Sequence, residues 1–354
     1  MAKRILIAAG GTAGHVVPAL AVADALRAEG AEVAFVGGER AEAALVPQAG
    51  YELHQLGALR GLDRRNPLRA ARAALRALGA VRTSLRLLRD VRPAAVLGAG
   101  GYVAGPVGLA AVLRRVPIVL AEADSHLGLT NRLLAPFARR VCLAFPLDGR
   151  TPPRYRVTGR PIPPPATDRR AARARFGLAG GETCVVVFGG SLGARSINEA
   201  AIEAFAGRDF RVLHICGERD YPSLRDRVPR PGYDLRPYLD LAAFGDALLA
   251  ADLVVARSGG SVFEIAAHGR PALLVPYPHA AADHQTTNAR WMADHGAAIV
   301  VADAELTAPR LAQEVAGLLG DRGRLAAMAR ASSALARPRA ALDVAEEVLE
   351  AGRP

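Results

Sequence analysis

The chain has 354 residues, 51% hydrophobic and 22% charged, with 45 basic side chains against 34 acidic ones and a formal charge of +11. That length suits about two domains whose cores need no staples. Lys3 is the single lysine, which excludes a Walker A loop and a kinase strand lysine and argues against any Schiff-base enzyme.

Cys142, Cys184 and Cys216 form no C-x-x-C pair. They read as buried thiols of a reducing compartment rather than a disulfide framework or a metal site. Gly10-Gly11 interrupts the first apolar stretch too early for a signal peptide, and no run of about 20 apolar residues follows. A cytoplasmic chain without a membrane span is therefore expected.

Short apolar runs alternate with helical patterns. Strands are predicted at Ile5–Ala9, Glu32–Val36, Ala94–Leu97, Ile118–Leu120 and Arg140–Leu143. A second set is predicted at Cys184–Phe188, Arg211–Ile215, Leu253–Ala256, Ala272–Val275 and Ala298–Val301. Helices between them include Pro18–Ala28, Val103–Leu113, Ile197–Ala206 and Val262–Ala267. This alternation predicts an α/β protein with parallel sheets.

The first motif is GGTAGH, Gly10 to His15. Glycines between a strand and a helix let backbone approach a ligand, and the helix start offers free N–H groups to an anion. The spacing of Gly10, Gly11 and Gly14 makes a poor dinucleotide fingerprint. His15 reads as a general base or as a plain helix-start histidine.

Residues 60–92 hold ten arginines, Arg69, Arg72, Arg76, Arg82, Arg86 and Arg89 among them, against Asp63 and Asp90. That is +8 of the chain's +11. Leucines at near-helical spacing run between them. A basic amphipathic helix suits an anionic membrane surface, or packs its leucines on its own domain. Nucleic acid is disfavoured by the 5% aromatic content and the absence of a recognised module.

The next glycine cluster, GAGGYVAGPVG over 98–108, includes Gly100, Gly101 and Tyr102. It implies close approach of a ligand or of a neighbouring helix. GRPIPPPA over 159–166 is too proline-rich for a core element and reads as a stiff linker. Beyond it, CVVVFGGSLGARSINEA repeats the strand–Gly-Gly–helix pattern of the first motif, with Ser191 in the loop. Two Rossmann-like domains are thus predicted, 1–160 and 161–354, with a last helix near 338–350 packing back on the first.

Two further motifs follow strands in the second half. RSGGSVFE ends on Glu264, which reads as a ribose-diol acceptor or as a first-turn glutamate favoured by the helix dipole. PYPHAAADHQTTNA clusters polar groups at a strand end, where such sheets bind ligands. Its two histidines lack a third ligand at metal spacing, so no metal is expected.

GGTAGHVVPALAVADAL, GGYVAGPVGLAA, GLTNRLLA, GGSLGARSIN, RSGGSVFEIAAHGRPALLVPY and DHQTTNA, in this order over nearly the whole chain, resemble the MurG family of glycosyltransferases. The resemblance implies a GT-B fold of two Rossmann-like domains around a deep cleft. It implies inverting transfer of N-acetylglucosamine from UDP-GlcNAc to the muramyl 4-hydroxyl of lipid I, the undecaprenyl-diphosphate-linked muramyl pentapeptide, giving lipid II for peptidoglycan. It further implies a bacterial peripheral protein on the anionic cytoplasmic membrane surface, with no cofactor and no nucleic-acid partner.

By the same resemblance, Ser191, Leu239, Gly260, Ser261, Val262, Phe263, Glu264, His284 and Gln285 would hold the donor. Thr12, Ala13 and Gly14 would approach the donor sugar and the acceptor diphosphate. Gly10, Gly11, Gly100, Gly101, Tyr102 and Asn131 would line the acceptor side, and His15 would be the base. Ala121-Glu122-Ala123-Asp124 stands where the family usually reads His-Glu-Gln-Asn, so the asparagine's donor contact falls on Asp124. The family's linker arginine falls on Pro163, with Arg160 nearby. The alternatives are a UDP-GlcNAc 2-epimerase, a diacylglycerol glycosyltransferase, or a nucleotide-sugar-binding protein without catalysis.

Overall fold

The computed structural model describes residues 3–56, 67–190, 192–228 and 231–353, and of residues 67–75, 77 and 281 only the backbone. The chain forms two compact units, residues 1–163 with 337–354, and residues 164–336. The first division falls between Pro163 and Pro164, inside the proline-rich segment.

The first unit is built on seven strands: β1 (Arg4–Ala8), β2 (Glu32–Gly37), β3 (Glu52–Gln55), β4 (Ala95–Gly98), β5 (Ile118–Glu122), β6 (Arg140–Leu143) and β7 (Tyr155–Val157). They lie in the order β3-β2-β1-β4-β5-β6-β7, every neighbouring pair parallel. Ile5, Leu6 and Ile7 of β1 are fully buried. Such a strand has helices on both of its faces, which is why it reads as an unbroken apolar run.

One face carries helices Ala13–Ala28 and Ala340–Ala351, whose Val16, Ala19, Val344 and Val348 join Ile5, Ile7 and Leu97 in one core. The other face is covered by Ala104–Arg114, whose Val107 and Ala111 pack with Leu6, Val36, Val96 and Leu88. Leu88 comes from the long helix Pro67–Val91.

The second unit has six strands: β8 (Cys184–Phe188), β9 (Arg211–Ile215), β10 (Tyr233–Arg236), β11 (Leu253–Ala256), β12 (Ala272–Leu274) and β13 (Ala298–Val300). Their order is β10-β9-β8-β11-β12-β13, again all parallel. Val185, Val187, Leu253 and Val255 pack with Ile197 and Phe205 of helix Arg195–Ala204 and with Leu311 and Val315 of helix Ala308–Gly320.

Both sheets reverse their direction of growth beside the first strand, at β1/β4 and at β8/β11. In open parallel sheets the crevice beyond the carboxyl ends of such a strand pair is where ligands bind.

Three strands lie outside the sequence reading: β3, β7 and β10. Each is an edge strand, and ELHQ, YRV and YDLR are half-exposed without an apolar run. The first helix begins at Ala13 rather than Pro18. The Gly-rich turn leads directly into its first turn, and Pro18 is accommodated inside it.

Candidate functional site

In the first unit, β1 ends at Ala8 and β4 at Gly98, so the loops from Gly10 and from Gly100 leave adjacent strands side by side. Gly101 sits at φ +78°, and a Cβ there would overlap the carbonyl oxygen of Gly10. Gly100 sits at φ +100°, and a Cβ there would come within 2.6 Å of His15 Cδ2. The two glycines thus let the second loop close on the first, with the His15 ring resting on Gly100. The backbone approach read from 98–108 is, at these residues, loop on loop.

Thr12 precedes the helix in extended conformation and makes no capping bond. Its Oγ1 lies 3.3 Å from His15 Nδ1 instead. With the hydrogen on Nδ1, the hydroxyl accepts it and Nε2 keeps its lone pair. Burial, and next the Arg160 guanidinium, hold the imidazole below the usual histidine range, outweighing the opposite pull of Asp124 and Glu42. A neutral imidazole near neutral pH is what a general base requires.

Glu42 holds this loop from beneath. Its side chain is fully buried and accepts the N–H of Gly11 and of Gly38, each at 2.8 Å, and the Tyr102 hydroxyl at 3.1 Å. Burial would raise its carboxyl, but N–H donors of its own backbone, Gly11 and Gly38 outweigh that and bring it below the usual carboxylate range.

A second buried carboxylate, Glu122, ends β5. It accepts the N–H of Gly128 at 2.8 Å, Asn131 Nδ2 at 2.9 Å and the N–H of Asp124 at 3.2 Å. Burial nevertheless raises its carboxyl. Asn131 is therefore buried in a network that shapes the loop 123–128. Sequence reasoning gave no role to Glu42 or Glu122, whose partners are main-chain donors far away in sequence or beyond a loop.

In the second unit, the ends of β8, β11 and β12 are adjacent, and the three predicted motifs follow them. Gly189–Ala194 after β8 leads into helix Arg195–Ala204, whose first turn carries no acidic residue. Ser191 itself lies outside the described residues. Gly193, at φ +73°, packs on the Cys216 carbonyl after β9. Below it Asn198 donates to Cys216 O at 2.9 Å and to Asp220 at 3.0 Å, and its Oδ1 meets His214 Nε2 at 3.0 Å.

Gly260 precedes the short helix Ser261–Ala267 after β11. Val262 and Phe263 are buried in the core, so these two can meet a ligand only through backbone. Glu264 is half-buried one turn in. After β12, helix His284–Asp294 begins with His284 and Gln285. Ser258 Oγ donates to Gln285 O at 2.7 Å, Asn288 Nδ2 donates to Ser258 O at 2.9 Å, and the Tyr277 N–H donates to Gln285 Oε1 at 3.0 Å. These bonds tie the two motifs together. Leu239 is half-buried between β10 and helix Leu241–Ala250.

Arg257, buried, donates to Val275 O and Pro276 O at 3.1 Å each and pairs with Asp303 at 2.7 Å. It clamps the β12 loop rather than offering its charge outward. Among the described residues there is no cluster of three or more metal-binding side chains.

Within the basic stretch 60–92 a helix runs over Pro67–Val91, with Arg76, Arg82, Arg86 and Arg89 exposed, while Arg60, Arg64 and Arg65 lie outside the described residues. The side chains of Arg69 and Arg72 lie outside the described residues. The helix packs on Ala104–Arg114. That neighbour exposes Leu109 and Leu113, and the following segment 129–137 exposes Leu129, Leu133 and Phe137, the last two 63% each. Exposed Arg114, Arg115 and Arg132 border this patch. Among the described residues no helix is long and apolar enough to cross a membrane.

The glycosyltransferase family 28 N-terminal domain matches residues 5–143, and the family's C-terminal domain matches residues 184–344. A UDP-N-acetylglucosamine--N-acetylmuramyl-(pentapeptide) pyrophosphoryl-undecaprenol N-acetylglucosamine transferase of Moorella thermoacetica is 42% identical, over 98% of both chains. The protein of the same name from Nitrosococcus oceani is 43% identical over 99% of both. The crystal structure of Acinetobacter baumannii MurG superposes with a TM-score of 0.79 at 30% identity, covering 99% of this chain and all of that one. UDP-GlcNAc 2-epimerase from Neisseria meningitidis shares the fold alone, with a TM-score of 0.69 at 12% identity.

Proposed function

The chain belongs to glycosyltransferase family 28, in its MurG branch, and from that premise we propose that it transfers N-acetylglucosamine from UDP-GlcNAc to the 4-hydroxyl of the muramyl residue of lipid I, with inversion. The observation that carries the reading is His15. It stands at the start of a helix, is backed by Gly100, and is kept neutral by its surroundings. It takes the acceptor proton as the sugar–phosphate bond breaks.

Residues 164–336 hold the donor in this reading. The amides at the start of helix Arg195–Ala204 face the diphosphate, where charge grows in the transition state. Glu264 takes the ribose hydroxyls, His284 and Gln285 take the sugar, and Leu239 lies against the uracil. Thr12, Ala13, Gly14 and Asp124 approach the transferred sugar. No Asp-x-Asp occurs in the sequence, and the chemical step is proposed to need no metal.

The exposed leucines and Phe137, bordered by arginines on three packed helical segments, suit the anionic cytoplasmic leaflet where a lipid-linked acceptor resides. The test is transfer of labelled GlcNAc from UDP-GlcNAc to lipid I, with a lipid-free control and an EDTA arm. Lipid-dependent transfer that survives EDTA is expected. Turnover of UDP-GlcNAc without lipid would point to epimerase chemistry, and loss in EDTA restored only by a divalent ion would overturn the metal-free step.

A further inference from the structure

We infer that Arg160 is a positioning residue for His15: its guanidinium supplies the hydrogen bond that Pro18 denies the Gly14 carbonyl, and in doing so sets a fixed positive charge beside the imidazole. The inference rests on the reading of His15 as the base.

Pro18 lies in helix Ala13–Ala28, four residues after Gly14. In a regular helix residue 18 would donate its N–H to the Gly14 carbonyl, and proline has none to give. Pro18 thus leaves the Gly14 carbonyl, at an exposed residue, open to another donor. Arg160 Nη2 donates to it at 2.5 Å, and Arg160 Nη1 donates to Ala123 O at 3.4 Å. The arginine is 9% exposed. It follows β7 and joins three segments that meet here: the Gly-rich loop, the end of β5 and the start of the proline-rich segment.

The carbonyl it holds belongs to the residue immediately before His15. Four groups therefore act on the imidazole. Thr12 binds Nδ1, Arg160 disfavours the protonated form, and Asp124 and Glu42 favour it. Two carboxylates near a histidine would by themselves push it toward the imidazolium, which cannot accept a proton. The buried guanidinium opposes them. It also fixes the turn from which the ring projects, so one side chain sets both where His15 sits and whether it is free to act.

The test follows His15 itself by NMR in the full-length protein, with the resonance assigned by its loss in His15→Gln. Arg160→Gln is expected to raise the His15 midpoint by about half a unit or more. The acid limb of kcat/KM should move up by the same amount, leaving the loss larger at pH 6 than at pH 8. Arg160→Lys keeps the charge without the fork and should hold the midpoint near that of the parent while lowering kcat. If Arg160→Gln does not fold, Arg160→Lys carries the test against Arg160→Met.

An unchanged His15 midpoint in a folded, charge-free variant would overturn the proposal. So would a loss confined to the KM for UDP-GlcNAc. Full activity in His15→Gln would instead sink the base assignment, a different outcome from an unmoved midpoint.

Discussion

The buried carboxylate of Glu42 accepts the backbone N–H of Gly11 at 2.8 Å, across 31 residues of sequence. A main-chain donor with no regular partner is thereby held, and the loop before His15 gains a fixed floor. Glu42→Gln keeps the shape but turns an amide NH2 toward one of two N–H donors. It is expected to cost about 1–3 kcal/mol of stability, read by denaturant unfolding, and to lower transfer more than donor affinity. A parent-like midpoint with parent-like kcat would show that the loop does not need this anchor.

Gly100→Ala tests the seat of the imidazole. The position has φ +100°, and the new Cβ would meet His15 Cδ2. Backbone strain of about 1–2 kcal/mol is expected, and the ring must leave its place. The kcat should fall by about 10²-fold or more, approaching that of His15→Ala, for which about 10²–10⁴-fold is the usual worth of a general base. The double variant should be little worse than either single one.

His214 gives the second unit a pH dependence of its own. It is fully buried between Tyr233 at 2.8 Å and Asn198 at 3.0 Å, and burial drops its pKa to about 3. Between that value and the ordinary 6.5 the unfolded chain binds a proton that the folded chain refuses. Its contribution to stability is complete above 6.5 and is lost as pH falls below it, by at most about 1.4 kcal/mol per pH unit. His214→Gln can serve both neighbours without titrating. Equilibrium unfolding between pH 4 and 7 should show a flatter curve for that variant, and a parallel curve would refute the assignment.

The membrane reading predicts two separable effects. Leu113→Asp with Leu133→Asp should remove vesicle binding at any lipid charge. Reversal of Arg82, Arg86 and Arg89 to Glu should weaken binding only to anionic vesicles, by about 1 kcal/mol for each charge lost near the surface. UDP-GlcNAc affinity should stay at the parent value in both. Unchanged sedimentation with anionic vesicles would reduce the arginine run to a solvated helix face.

The central strands could be read from sequence because burial on both faces leaves a continuous apolar signature. Arg140–Leu143, Cys184–Phe188, Arg211–Ile215 and Leu253–Ala256 end where the apolar runs end. Edge strands such as Tyr155–Val157 carry no such mark, since one side of the ladder and part of each side chain meet water. Glycine-rich turns marked the carboxyl ends of the central strands of both sheets. They did not reveal what supports them. Glu42, Glu122 and Arg160 bond mainly to peptide groups, and outside proline a peptide group offers the same N–H and C=O whatever its side chain, so few pairings of letters announce the contact.

The helix Ala340–Ala351 places Val344, Ala345 and Val348 in the same core as Ile5, Val16 and Leu97. Lys3 also reaches the Leu349 carbonyl at 3.1 Å, and Glu347 pairs with Arg140 and Arg156. The unit that carries His15 is therefore assembled from segments on both sides of 164–336, which is inserted between them. During synthesis part of one face of its sheet therefore stays uncovered until residues 340–351 are made. A chain cut before residue 340 keeps β1 to β7 and the whole of 164–336, yet the core beneath His15 lacks Val344 and Val348.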